Sequence, residues 1–179
     1  MTATMEKAGK LALICALSAL ILGFVNTITE PAIARRKAAE LKVALSSLLE
    51  EGSPGAREDL NDSSTILSRY PIEGMGGWIL EMNGKGYGGD MKILASYRDD
   101  GSIIDVVLMD NTETPGLGKK AEKPEYMDKF RGTGGSSSVP TSKEDLESPD
   151  AVTGATITFV GIATPLHEGS VYVQSLGDK

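Results

Sequence analysis

The sequence predicts an α+β protein: one N-terminal transmembrane helix continues into a stalk helix, followed by a domain with an antiparallel sheet flanked by helices. Three observations predict it. Nineteen consecutive uncharged residues, Leu11 to Thr29, lie between Lys10 and Glu30, a length that just spans a bilayer as a helix. Residues 32–50 then interleave apolar and charged side chains at helical spacing. Short runs rich in Ile, Val and Leu, punctuated by Gly and Asp turns, fill the middle of the chain, as in an antiparallel sheet.

Taken in order, residues 1–30 read as a short N-terminus and membrane anchor. A cleaved signal peptide is the rival, because Ala32-Ile33-Ala34 supplies an A-x-A pattern. That pattern lies beyond Glu30 and Pro31, well past the apolar core, so a retained anchor is expected. Lys7 and Lys10 oppose Arg35, Arg36 and Lys37, and this near balance leaves orientation unset by charge. Residues 31–52 form the stalk. Pro31 suits its first turn, Ile33, Leu41, Leu45, Leu48 and Leu49 make its apolar face, and Gly52-Ser53-Pro54-Gly55 ends it. The same stretch also serves as the first helix of the domain, and the two readings are compatible.

Residues 53–179 form the domain. Strands are expected at Thr65–Tyr70, Gly77–Met82 and Met91–Tyr97, with Asp99-Asp100-Gly101 turning the last into Ser102–Met109 as a hairpin. Pro124–Phe130 is a short helix candidate, Arg131–Ser138 a Gly/Ser-rich loop, and Ser142–Pro149 an acidic approach to the final segment. Gly161 and Pro165 interrupt the apolar run from Ile157 to Leu166. Since an interior Pro costs about 3 kcal/mol, a short or broken helix is expected there, then an irregular or strand-like tail at Val171–Leu176.

Charge is uneven. Residues 1–37 carry five Lys/Arg against two Asp/Glu, and the remainder thirteen against twenty-three. So acidic a domain argues against nucleic acid, whose phosphates require a basic patch. Cys15 is the single cysteine, expected as a buried small apolar residue, which leaves no disulfide framework and no cysteine-ligated cluster. His167 is the single histidine, read as a surface or packing residue, so His triads and two-His metal sites are excluded; no metal site is expected.

Three motifs carry chemistry. In Asp150-Ala151-Val152-Thr153-Gly154-Ala155-Thr156, a threonine hydroxyl stands on a small-residue turn entering an apolar segment. Gly154 and Ala155 leave backbone N–H groups open to an anion, and a helix starting there favours negative charge. Alone, the tetrapeptide reads more readily as a helix start capped by Thr153. Upstream, Glu113-Thr114-Pro115-Gly116-Leu117-Gly118-Lys119 follows a strand-like run, its prolyl-glycyl turn offering close backbone approach and Leu117 an apolar surface for a ring. Earlier still, Gly86-Tyr87-Gly88-Gly89 leads into Asp90–Ala95. Each alone is a common turn.

Together, in this order, they resemble the FMN-binding domain family from about Gly74 to Thr164. The resemblance implies that Thr156 carries FMN through a phosphoester to its hydroxyl. Thr153, Gly154, Ala155, Glu113, Thr114, Leu117, Gly118, Lys119, Tyr87 and Gly88 are the implied cofactor-binding residues, with Lys119 or Glu113 tuning the flavin potential. Trp78 and Tyr87 are candidates to flank the ring or to serve as core aromatics. Asn111 stands where many relatives carry His, a departure at the position of any proton relay. With no His near Thr156 to activate its hydroxyl, a separate flavin transferase using FAD is the implied maturation partner, and Asp150 part of its recognition sequence.

The chain looks most like the G subunit of the Rnf ion-translocating electron transport complex, with the C subunit of sodium-pumping NADH:quinone reductase as near relative. That likeness implies an electron carrier among other membrane subunits, including a second flavin-bearing one. It also implies a short cytoplasmic N-terminus and a flavin domain on the outer face of the cell membrane. A self-standing flavin reductase would need an acid/base cluster that these residues lack. A flavin-free membrane-tethered interaction domain would use the glycine motifs merely as turns.

Overall fold

The computed structural model describes residues 2–60, 65–146, 152 and 154–177. Helix α1 (Thr2–Ser47) runs uninterrupted through Pro31, so the anchor and most of the expected stalk form one helix. Met5–Ser47 is long and apolar enough to cross a membrane. Its large apolar side chains between Leu11 and Ile28 are exposed. Cys15 is exposed with them, against the expectation that it is buried, because this apolar surface faces outward rather than into a protein core. The chain divides into two compact units, Met1–Lys42 and Val43–Lys179.

The second unit is built on an antiparallel sheet. Two short strands, β1 (Ser53–Pro54) and β2 (Glu58–Asp59), pair with β3 (Ile66–Glu73), and β4 (Trp78–Lys85), β5 (Asp90–Tyr97) and β6 (Ile103–Asp110) follow in sequence order. Alternation explains the layering, since successive strand residues face opposite sides. Leu80, Met82, Ile93, Ala95 and Tyr97 join one core cluster with Tyr126 and Met127 of the short helix α2 (Pro124–Met127) and with Phe130. Phe130 stacks on Phe159 at a centroid distance of 5.4 Å. The intervening strand residues Ser68, Tyr70, Ile79, Glu81, Leu94 and Ser96 are buried as well. On that side the Ser96 hydroxyl donates to the Leu48 carbonyl at 2.9 Å, where Ala44, Leu45 and Leu48 are buried.

Glu81 is a buried carboxylate on this second face. It receives the Ser68 hydroxyl at 3.0 Å, Lys92 at 2.7 Å and Arg57 at 3.3 Å. Burial alone would raise its pKa, but the Lys92 ammonium, with Ser68 and Arg57, holds it below the usual carboxylate range.

The C-terminal segment departs from expectation. Thr156–Gly177 is one helix, α3, with Pro165 inside it and no strand-like tail. Two features offset the proline. Phe159, Ile162, Ala163, Leu166 and Val173 are fully buried, and since large apolar side chains contribute about 1.5–3 kcal/mol each, together they exceed the roughly 3 kcal/mol a proline costs. Secondly, Pro165 has no N–H for the Gly161 carbonyl four residues back, and at that point the helix lies against β4. A Cβ on Gly84 would collide with the Gly161 carbonyl, and one on Gly161 with the Lys85 carbonyl. Two glycines facing each other let helix and strand backbones touch.

Candidate functional site

The sheet register brings the three motifs to one end of the domain. Lys85 pairs with Asp90, and Lys92 with Asp110, so the turn between β4 and β5 and the segment leaving β6 emerge side by side. That turn is Gly86–Gly89, and that segment begins at Asn111. The segment is tied to the turn twice, by the Thr112 hydroxyl donating to the Gly88 carbonyl at 2.8 Å and by the Gly88 N–H donating to Glu113 Oε1 at 3.0 Å. Asn111 acts locally. Its Oδ1 accepts the Glu113 N–H at 3.1 Å and its Nδ2 donates to Glu122 at 3.0 Å, so an amide here supplies both a turn acceptor and a brace.

Beyond Glu113 the chain tightens. The N–H groups of Leu117 and Lys119 both donate to the Thr114 carbonyl, at 3.2 and 3.3 Å, with Gly116 in left-handed conformation at φ +81°. This presents Leu117, 47% exposed, toward Gly154: a Cβ on Gly154 would lie 3.2 Å from Leu117 Cδ2. Gly154 is itself left-handed at φ +80°, which only glycine adopts without strain. Ala155 is buried and donates its N–H to the Val152 carbonyl at 2.9 Å. Thr156 then opens α3 and is exposed.

These segments enclose a cavity of about 410 Å³ lined by Tyr87, Glu113, Thr114, Leu117, Gly118, Gly154, Ala155, Thr156, Ile157 and Thr158. That volume lies within the roughly 300–1,000 Å³ of small-molecule sites. Eight of the eleven residues singled out from sequence line it. Of the others, Gly88 joins through its backbone bonds to Thr112 and Glu113. Lys119 is absent from the lining, its ammonium pairing with Glu122 at 3.2 Å. Thr153 and Asp150 lie outside the described residues. Trp78 sits at the start of β4, the opposite end from the glycine turn, beneath the Arg69 guanidinium at 4.6 Å. A larger cavity of about 1,040 Å³, lined by Lys129, Asp145 and His167 among others, contains none of the motif residues.

The surroundings of Glu113 were not legible from the motifs. It is buried to 3% exposure, and its second oxygen accepts the hydroxyl of Thr158 at 2.8 Å. Gly86 and Gly118 flank the carboxylate so closely that a Cβ on either would collide with it. The one sequence signal for Thr158 is a polar residue inside the apolar run that follows Thr156.

Comparison with known proteins agrees with this geometry. The FMN-binding domain family matches residues 86–168, which include the glycine turn, the Glu113–Lys119 segment and the first half of α3. The G subunit of the ion-translocating oxidoreductase complex of Cereibacter sphaeroides is 31% identical over 173 residues, covering 89% of this chain and 79% of that protein. The chain belongs to the family of G subunits of ion-translocating oxidoreductase complexes. Other members of the family are similar over comparable lengths. The G subunit of the proton-translocating ferredoxin:NAD(+) oxidoreductase complex of Clostridium ljungdahlii is 25% identical, with 88% of this chain and 85% of that one covered. The Na(+)-translocating counterpart from Acetobacterium woodii is 26% identical, with 91% and 88% covered. Membership of this family and the apolar α1 together make the chain a single-pass membrane protein with an FMN-binding domain.

Proposed function

We propose that this chain is the covalently flavinylated electron-relay subunit of an Rnf-type ferredoxin:NAD oxidoreductase complex, with FMN joined to Thr156 by a phosphoester. The observation that carries the reading is the position of Thr156, an exposed hydroxyl on the first residue of a long helix, at the rim of a cavity walled by the other two motifs. The residues fit the cofactor. A phosphate on Thr156 meets the positive end of the α3 dipole. Leu117 and Tyr87 offer apolar surfaces to a flat ring, Gly118 leaves room for the Glu113 carboxylate behind the wall, and Gly154 lets its turn approach Leu117.

When bound, the flavin supplies one- and two-electron redox chemistry, and the protein supplies position and electrostatics. The chain's own residues divide that task. Thr156 fixes the phosphate end, the Thr114–Gly118 turn shapes one wall, and Glu113 places a buried carboxylate behind it. Tyr87, 76% exposed, lines the open side. Attachment belongs to a separate flavin transferase with FAD as donor. Residues 1–30 anchor the chain in the cell membrane, 31–52 form the stalk and 53–179 the flavin domain, which stands on the periplasmic or extracellular face. Its partners there are the other membrane subunits of the complex, including a second flavin-bearing one. It acts as a redox subunit rather than as a stand-alone catalyst.

The test is the intact mass of the full-length chain, co-expressed with a flavin transferase, beside Thr156→Ala, with in-gel flavin fluorescence after denaturation. The expected result is an FMN-sized increment and fluorescence in the wild type, both lost in the variant. An unmodified, colourless wild type would overturn the reading and favour a flavin-free interaction domain.

A further inference from the structure

We infer that Thr158 is a positioning residue of the cofactor cavity, acting through Glu113 to fix the glycine turn at Gly88. The inference rests on the flavin reading for its purpose and on the hydrogen bonds alone for its mechanics. Thr156 and Thr158 are two residues apart on α3, about 200° of helical rotation, so they face nearly opposite sides. Thr156 is exposed, while Thr158 is 1% exposed with its hydroxyl on the Glu113 carboxylate. One threonine is presented for attachment and the other is turned inward to hold the wall.

The chain of contacts is short. The Thr158 hydroxyl donates to Glu113 Oε2 at 2.8 Å, and Glu113 Oε1 accepts the Gly88 N–H at 3.0 Å. A single carboxylate therefore links the start of α3 to the turn between β4 and β5, from within the segment that leaves β6. Among the described residues its partners are an O–H and an N–H rather than a cation. At 3% exposure the carboxylate depends on them, because a buried charge that loses a donor forfeits solvation that water cannot restore. Gly86 and Gly118 pack so closely on the carboxylate that a Cβ on either would collide with it. Losing the Thr158 hydroxyl should therefore be felt at Gly88 and in the cavity wall, although Thr158 itself does not reach Gly88.

The experiment compares Thr158→Val, which keeps shape and removes the donor, with Thr158→Ser, which keeps the donor, in the full-length chain. Glu113→Gln serves as a second variant should the valine version fail to fold. In a Thr156→Ala background, where no flavin is attached, hydrogen exchange at the Gly88 amide should quicken by roughly tenfold or more in Thr158→Val or Glu113→Gln and stay near the parent rate in Thr158→Ser. In chain co-expressed with a flavin transferase, the visible circular dichroism of the flavin and its quenching by iodide should change in Thr158→Val and be restored in Thr158→Ser. Unchanged Gly88 exchange in both Thr158→Val, which removes the hydroxyl donor, and Glu113→Gln, which replaces the charged acceptor, or a flavin spectrum indifferent to the hydroxyl in a loaded protein, overturns the inference. A wild type that carries no flavin defeats the flavin reading instead, and the Gly88 exchange still decides the relay.

Discussion

Gly161→Ala should destabilise the domain, although the same change in most helix interiors is stabilising. Replacing an interior helical glycine by alanine ordinarily gains about 1 kcal/mol. At Gly161 the added methyl would collide with the Lys85 carbonyl oxygen, and would lie 2.7 Å from the Lys85 carbonyl carbon and 2.8 Å from the Met91 terminal methyl. Met91 can yield by changing rotamer. The strand backbone cannot, so α3 must retreat from β4 by more than an ångström, loosening Phe159, Ile162 and Leu166, all fully buried. Overpacking of this kind costs typically 1–3 kcal/mol. With backbone as the obstacle and three core side chains disturbed, the cost should sit at about 3 kcal/mol, leaving a net loss of about 2 kcal/mol after the propensity gain. The assay is urea unfolding of the full-length chain in detergent, followed by the fluorescence of Trp78, the single tryptophan and a β4 residue. At an m-value of about 1–3 kcal/mol/M, the midpoint should fall by roughly 1 M. A midpoint unchanged or raised would refute the close approach of helix and strand, and with it the explanation of why a proline is tolerated at 165.

Other outcomes follow from the sheet and the cavity. Glu81→Gln should lower the thermal midpoint near neutral pH, since Lys92, Ser68 and Arg57 keep the folded carboxyl below its unfolded pKa. A carboxyl depressed by folding contributes stability above its unfolded value and loses it as pH falls through the folded one. The gap between wild type and variant should therefore close on acidification below about pH 4, and a gap independent of pH would contradict the ion cluster. Tyr87→Ala should leave stability within about 0.5 kcal/mol, as expected of a residue 76% exposed, while raising iodide quenching of the attached flavin; unaltered quenching would remove Tyr87 from the ring's surroundings.

The four eight-residue strands β3–β6 were legible because they are rich in apolar residues and bounded by turns whose chemistry is local, such as Asp99-Asp100-Gly101, whereas the two-residue β1 and β2 carry no such pattern and were not expected. The convergence of the three motifs was legible only through likeness to a family. Nothing in Gly86–Gly89 or Glu113–Lys119 taken singly says that they meet, since that depends on the register of three strands. The proline in α3 misled for a related reason. Its cost is a property of one residue, but its tolerance comes from Gly84, a residue on another element, and from side chains that bury only once the sheet exists. Thr158 was missed because its partner lies 45 positions away in the chain.

Thr156 begins the same helix that supplies much of the core. A group attached there is fastened to the first residue of a helix packed into the core rather than to a swinging arm. Two freedoms are left to it: rotation about the bonds of the linkage itself, and displacement of the whole domain as one body. An electron carrier built this way keeps its point of attachment fixed relative to a packed core, and any travel beyond the reach of the linkage is assigned to what lies on either side of the domain. Lengthening or stiffening residues 31–42 should then alter transfer rates while leaving the flavin's spectrum untouched.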